Sequence, residues 1–305
     1  MSVPAAFTGV VVIWATTPLA IKWSSEDAGF LFGVASRMVL GVFVCLVLVA
    51  LMSRRMRWHR DALLTYVAAG TGVWGAMTLV YWSAQHIPSG LISVLFGLSP
   101  ILTGAMAALW LGERALTLPR LSGIGLSIAG LAVIFGHGIE LGAAAVNGMA
   151  AVMVAVSIHS ASSVWVKRIG AGLHPLETTT GALLIAVPLF SMTWALLDGE
   201  LPGHLGARTA WSIVYLAVFG STLGFALYYY VLRQVEASRV ALITLVTPVL
   251  ALFLGHYVDG EPLGMQTWAG TAAILAGLAC FQWGERWGWL PARISQAGPG
   301  ETAGD

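Results

Sequence analysis

Charge is what this sequence has least of: Asp, Glu, Lys and Arg make up 10% of its 305 residues, against 58% hydrophobic. A soluble domain carries roughly a quarter charged residues, and no soluble core hides that much apolar surface. The net charge of +1 excludes both the basic face that nucleic acid requires and an acidic tail for a basic partner. Cysteine is scarce too. Cys45 and Cys280 both fall inside apolar runs, which excludes a disulfide framework and a cysteine metal site. HExxH and GxSxG are absent, and no pair of aspartates lies within an apolar run, so an intramembrane enzyme has little to work with.

What the sequence holds instead is long apolar runs. Lipid offers the backbone no hydrogen bonds, so such a chain spans the bilayer as helices or as a closed barrel. Barrel strands alternate apolar and polar residues, and these runs do not. Stretches of about 18 to 24 residues cross a hydrocarbon layer of roughly 30 Å. They lie near residues 4–22, 29–52, 62–84, 88–111, 119–136, 146–167, 175–198, 209–232, 237–257 and 265–285. The pattern predicts an all-α integral membrane protein with ten transmembrane helices. The opening MSVPAAFTG has no basic stretch before its apolar run, so it reads as a retained first span and not as a cleaved signal. Residues 286–305 turn to Gly, Pro and polar side chains and read as a disordered cytoplasmic tail.

Orientation follows from Lys and Arg in the short loops. With the N-terminus inside, Arg54, Arg55, Arg57, Arg60, Arg114, Arg120, Lys167, Arg168, Arg233, Arg239, Arg286 and Arg293 collect on the cytoplasmic side. Lys22 and Arg208 fall on the other. Both termini are therefore expected in the cytoplasm of a multi-pass protein of the cell membrane, the inner membrane if the source is a Gram-negative bacterium.

The two halves of the chain repeat one another. Tyr81, Pro100, Gly112 and Glu113 recur as Tyr229, Pro248, Gly260 and Glu261 at a constant offset of 148, and Lys22 matches Lys167 at 145. Five spans is an odd number, so the second half enters the bilayer from the opposite side. The expectation is two inverted five-helix repeats, residues 4–136 and 146–285, with a solute site near the midplane between them.

Ser99-Pro100 and Thr247-Pro248, each followed by Gly-Glu at the helix end, combine with small-residue fifth and tenth spans and with Arg37 early in span two. This duplicated set resembles the drug/metabolite transporter superfamily, specifically its ten-helix EamA-type members, over about residues 5–285. The resemblance implies a permease or exporter of small metabolites such as amino acids, working by alternating access with a central cavity between the halves. No cofactor, metal or catalytic residue is expected. The expected partners are a small-molecule solute and the lipid bilayer, with the chain a monomer or homodimer.

Candidate site residues follow from their chemistry at depth. Arg37 lies about eight residues into span two, roughly 12 Å deep, where a charge faces a cavity or a partner. It is either an anchor for an anionic group or a structural arginine that snorkels outward. Trp14 and His159 occupy equivalent places, and Ser157, Ser160 and Ser163 give His159 a polar stripe, which suits a cavity or bonding between helices. Tyr81 and Tyr229 are paired between halves and either line the path or belong to an interfacial belt. Trp14, Arg37, Tyr81, His159, Ser163 and Tyr229 are the candidate solute-binding set. Pro100 and Pro248 each remove a backbone donor, so kinks are expected as static bends or as flex points. Glu113 and Glu261, close to the start of the following helix, are expected to cap free N–H groups. Gly70, Gly72 and Gly75 spell GxGxxG inside an apolar span, where close helix packing is the better use.

No acidic residue falls near the middle of any span, which weighs against exchange of protons for cationic drugs. The leading expectation is a secondary transporter moving a small zwitterionic or weakly polar metabolite outward. Cationic drug efflux, a channel and an intramembrane enzyme are the alternatives.

Overall fold

The computed structural model describes residues 2–112, 118–235, 240, 243–262 and 264–283. Among them the regular elements are helical: α1 (Val3–Ser24), α2 (Phe30–Leu51), α3 (Arg60–Ser83), α4 (Ser89–Phe96), α5 (Ser99–Leu111), α6 (Leu118–Leu141), α7 (Ala143–Ile169), α8 (Pro175–Leu197), α9 (Ala207–Tyr215), a π-helical segment (Leu216–Leu223), α10 (Gly224–Gln234), α11 (Ile243–Asp259) and α12 (Met265–Trp283). Seven stretches are long and apolar enough to cross a membrane: Val3–Ser24, Phe30–Leu51, Arg60–Ser83, Ser89–Leu111, Ala143–Ile169, Pro175–Leu197 and Ala207–Gln234. The chain is a multi-pass membrane protein. The spans expected at 119–136, 237–257 and 265–285 correspond to α6, α11 and α12, which are not among the seven; Leu121–Ile134 and Met265–Phe281 are shorter apolar helices. Glu113 and the tail expected at 286–305 lie outside the described residues.

Local chemistry sets the helix ends. Pro175 opens α8, and His174 and Glu177 form a capping box across its first turn, which satisfies backbone donors that have no partner inside the helix. Gly112 and Gly260 close α5 and α11 with the same φ of 66°. This left-handed cap suits glycine because a Cβ is disfavoured there, and it explains the Gly of both Gly-Glu landmarks. The span at 88–111 is two helices, not one. The chain breaks at Gly97-Leu98, and Pro100 sits in the first turn of α5, where its missing N–H breaks no helical bond. Pro248, by contrast, lies inside the continuous α11.

The helices pack through small residues. α3 lies against α7 and α8; α2 against α8 and the π segment; α1 against α11, α9 and α10; α4 against α11; α5 against α7; and α6 chiefly against α12. A Cβ on Gly70 would stand 2.6 Å from the Ala182 carbonyl of α8, and one on Gly72 would overlap the Ser162 side chain of α7. The GxGxxG run is thus the place where α3 meets both neighbours. Gly123 and Gly277 do the same between α6 and α12, each leaving only 2.5 Å between a hypothetical Cβ and the other's carbonyl oxygen. Without a hydrophobic drive between helices in lipid, such close approach supplies the association energy.

Candidate functional site

α1, α2, α3, α4, α7, α10 and α11 surround a cavity of about 80 Å³. Since one water needs roughly 10–15 Å³ on this measure, there is room for several waters or a small solute. Most of the wall is apolar. Its polar groups are Thr17, Arg37, Ser93, His159 and Thr247, with the Trp14 indole beside them, and among the described residues no carboxylate lines it. Pro18 lies in the same wall inside α1; having no N–H, it leaves the Trp14 carbonyl without its helical donor.

His159 stands in an aromatic box. Its ring lies 6.0 Å from Trp14, 6.1 Å from Phe96 and 5.4 Å from Tyr228, measured between centroids. Trp14 and Tyr228 approach to 5.1 Å. Ser163 fixes this arrangement from behind: its Oγ donates to the His159 carbonyl at 2.8 Å and lies 2.6 Å from the Tyr228 hydroxyl. Among the described residues no side chain bonds the His159 ring nitrogens, which leaves them for the contents of the cavity.

Arg37 is 1% exposed, yet among the described residues it has no carboxylate partner. Its Nε donates to Ser221 Oγ at 2.8 Å and one Nη to the Tyr81 hydroxyl at 3.4 Å. The π segment makes this possible. Thr222 Oγ1 donates to the carbonyl of Ala217, five residues back, and to Gly41 of α2. A Cβ on Gly220 would meet a guanidinium nitrogen at 2.9 Å, so glycine leaves the space that Arg37 fills. π segments recur at functional sites.

Of the candidate set, then, Trp14, Arg37 and His159 line the cavity; Tyr81 stands behind Arg37 and Ser163 behind His159. Tyr229 faces a different cavity. The tyrosine beside His159 is Tyr228, which the sequence reading passed over because it followed the match to Tyr81. Thr247, next to Pro248, reaches the wall, while Pro100 does not line it.

Glu261 caps a helix, but not the one that follows it. Its carboxylate accepts from the Ser89 and Gly90 N–H groups at 2.8 and 3.4 Å and from Ser89 Oγ at 3.1 Å, at the start of α4. Lys22 Nζ joins it at 3.0 Å and reaches Asp259 at 2.5 Å, and Asp259 also accepts from Trp23 Nε1. The ends of α1 and α11 and the start of α4 are thereby tied together on one face of the bundle. Glu261→Ala strands those α4 donors and leaves Lys22 with Asp259 alone, so we expect a loss of roughly 2 kcal/mol, read from unfolding in detergent micelles.

The EamA-like transporter family matches residues 3–136 and again 146–282, nearly the whole described chain. The chain belongs to that family. It is therefore a membrane transporter. This EamA-like chain is 28% identical over 271 residues to an "uncharacterized transporter" of Archaeoglobus fulgidus, covering 88% of itself and 94% of the relative. It is 28% identical to a "probable terminal-alkyne amino-acid exporter" of Streptantibioticus cattleyicolor, covering 88% and 89%. A "probable amino-acid metabolite efflux pump" of Salmonella typhimurium shares 27%, covering 88% and 91%. A solved structure with 19% identity aligns at a TM-score of 0.70 over 94% of this chain and 99% of its own, which speaks for the fold alone.

Proposed function

We propose that this chain is a secondary transporter that exports a small carboxylate-bearing metabolite, an amino acid or a close relative, by alternating access between two inverted five-helix halves. The observation that carries the reading is Arg37: a buried guanidinium on the cavity wall, held by two neutral hydroxyls and by no carboxylate among the described residues. A charge held this way at depth favours an anionic group from outside the protein. His159 and the Trp14 carbonyl then offer hydrogen bonds to the polar end of a zwitterion, and the aromatic box encloses its apolar part. The names of two relatives, an amino-acid exporter and an amino-acid metabolite efflux pump, point the same way.

The helix contacts support the two-half arrangement. Exchanging the first five expected spans with the second five turns α1 against α11 into α7 against α4–α5. It turns α3 against α7 into α9–α10 against α1, and α3 against α8 into the π segment against α2; all of these contacts occur. With the N-terminus cytoplasmic, the Lys22–Asp259–Glu261 tie lies on the outer face and holds that face closed. Cationic drug efflux fits less well, because among the described residues the one charged side chain lining the cavity is an arginine.

The test is counterflow in proteoliposomes loaded with unlabelled amino acids. Accelerated entry of labelled solute is expected, and the acceleration is lost when the vesicles carry no unlabelled partner. Flux without trans-stimulation would indicate a channel, and chemical change of the solute an enzyme; either result sinks the reading.

A further inference from the structure

A second cavity of about 310 Å³ opens on the opposite face, the one that carries Arg57. Lys167 at the end of α7, the turn at residues 170–173, Thr65, Thr178, Tyr229 and Arg233 form its wall. Most of its polar groups are already engaged. Thr65 and Thr178 donate to the carbonyls of Asp61 and His174, and Lys167 to those of Leu232 and Val235. Two are not. Arg233 gives one N–H to the Leu173 carbonyl at 3.3 Å and has no carboxylate partner among the described residues. Tyr229 is 7% exposed, and its hydroxyl has no hydrogen bond among the described residues. Glu177 does not neutralise Arg233, because Arg57 already holds that carboxylate through Nε at 3.0 Å and Nη2 at 2.9 Å.

The local field is positive. At the mouth, burial first and then the guanidinium groups of Arg54, Arg233 and Arg57 hold the His174 imidazole below its ordinary value, against the opposite pull of Glu177. Tyr229 links this cavity to the first one: its ring stands 5.4 Å from Tyr228, and Tyr228 is one wall of the His159 box. An anion drawn to Arg233 is thus one tyrosine pair away from the chamber that holds Arg37.

We propose that this second cavity is a capture site for the carboxylate of the solute, held by Arg233 and the Tyr229 hydroxyl before it passes the Tyr228–Tyr229 pair. The proposal rests on the carrier reading above and adds a second station and its chemistry. A guanidinium presents a planar fork of donors that a carboxylate accepts in pairs, and a buried hydroxyl beside it completes the cradle.

The test is equilibrium binding of labelled benzoate to the full-length protein in phosphatidylcholine nanodiscs, with benzamide as the uncharged counterpart. Arg37→Gln serves as the background, so that the first cavity contributes no guanidinium. Benzoate, and not benzamide, is expected to bind there. Arg233→Gln should weaken it at least about tenfold, Tyr229→Phe by less, and Arg233→Lys should recover part of the loss. Should Arg233→Gln not elute as a folded, monodisperse protein, Tyr229→Phe carries the test alone. Absence of benzoate binding, or unchanged affinity in the Arg233 and Tyr229 variants, overturns the proposal. So does displacement of benzoate when phosphatidylglycerol replaces part of the lipid, since the site would then belong to an anionic headgroup. Binding needs no gradient, so its failure beside intact counterflow removes the second station only, whereas failed counterflow removes the carrier reading itself.

Discussion

His159→Phe is expected to lower counterflow by about a hundredfold while leaving the folded yield in the membrane unchanged. Phenylalanine keeps the ring that Trp14, Phe96 and Tyr228 enclose, so the packing of α1, α4, α7 and α10 around it survives. What disappears is the pair of ring nitrogens that no side chain among the described residues bonds. A site built to hydrogen-bond its solute discriminates steeply once the bond is gone, because a buried polar group is left unpaired on one side. His159→Ala should be at least as damaging, and His159→Gln, which restores a donor and an acceptor near the same place, should recover part of the rate. Normal counterflow in the phenylalanine variant would reduce His159 to a packing residue.

Why His159 and Arg37 were legible in the sequence, and Tyr228 was not, is a matter of physical contrast. A charge or an imidazole inside an apolar helix is expensive, so it stands out against its background without any knowledge of neighbours. A third tyrosine in Tyr228-Tyr229-Tyr230 does not. The repeat match to Tyr81 favours Tyr229. The π segment Leu216–Leu223 was not legible either. No residue in LAVFGSTL announces the change of winding; it is held by Arg37 and Gly41 on a neighbouring helix.

The Lys22–Asp259–Glu261 tie was hidden for a different reason. Its partners lie 237 and 239 residues apart, and no local spacing rule connects them. That Glu261 would cap a helix could be read from its place after a glycine terminator; which helix it caps depended on how the halves dock. The break at Gly97-Leu98 is an intermediate case. Proline at 100 signalled a disturbance, and the structure places it one turn earlier, where the proline starts the new helix instead of bending an old one.

Arg37→Gln is the most informative substitution, because the two readings of this residue predict opposite effects on stability. If the guanidinium is a structural tie, removing it strands Ser221 Oγ and the Tyr81 hydroxyl, and the unfolding midpoint falls. If it waits for an anionic solute, the empty carrier bears an uncompensated buried charge, and a neutral replacement of similar length is neutral or stabilising. The hydrogen-bond inventory favours the second: two neutral acceptors, one at 3.4 Å, are few for five N–H donors. We therefore expect Arg37→Gln to keep or raise the unfolding midpoint and to cut counterflow of a carboxylated solute by about a hundredfold. Transport of the corresponding amide should change little, so that the preference for acid over amide collapses. A lower midpoint together with equal losses for acid and amide would assign Arg37 to the scaffold, and the carboxylate of the solute would then have no partner in the first cavity.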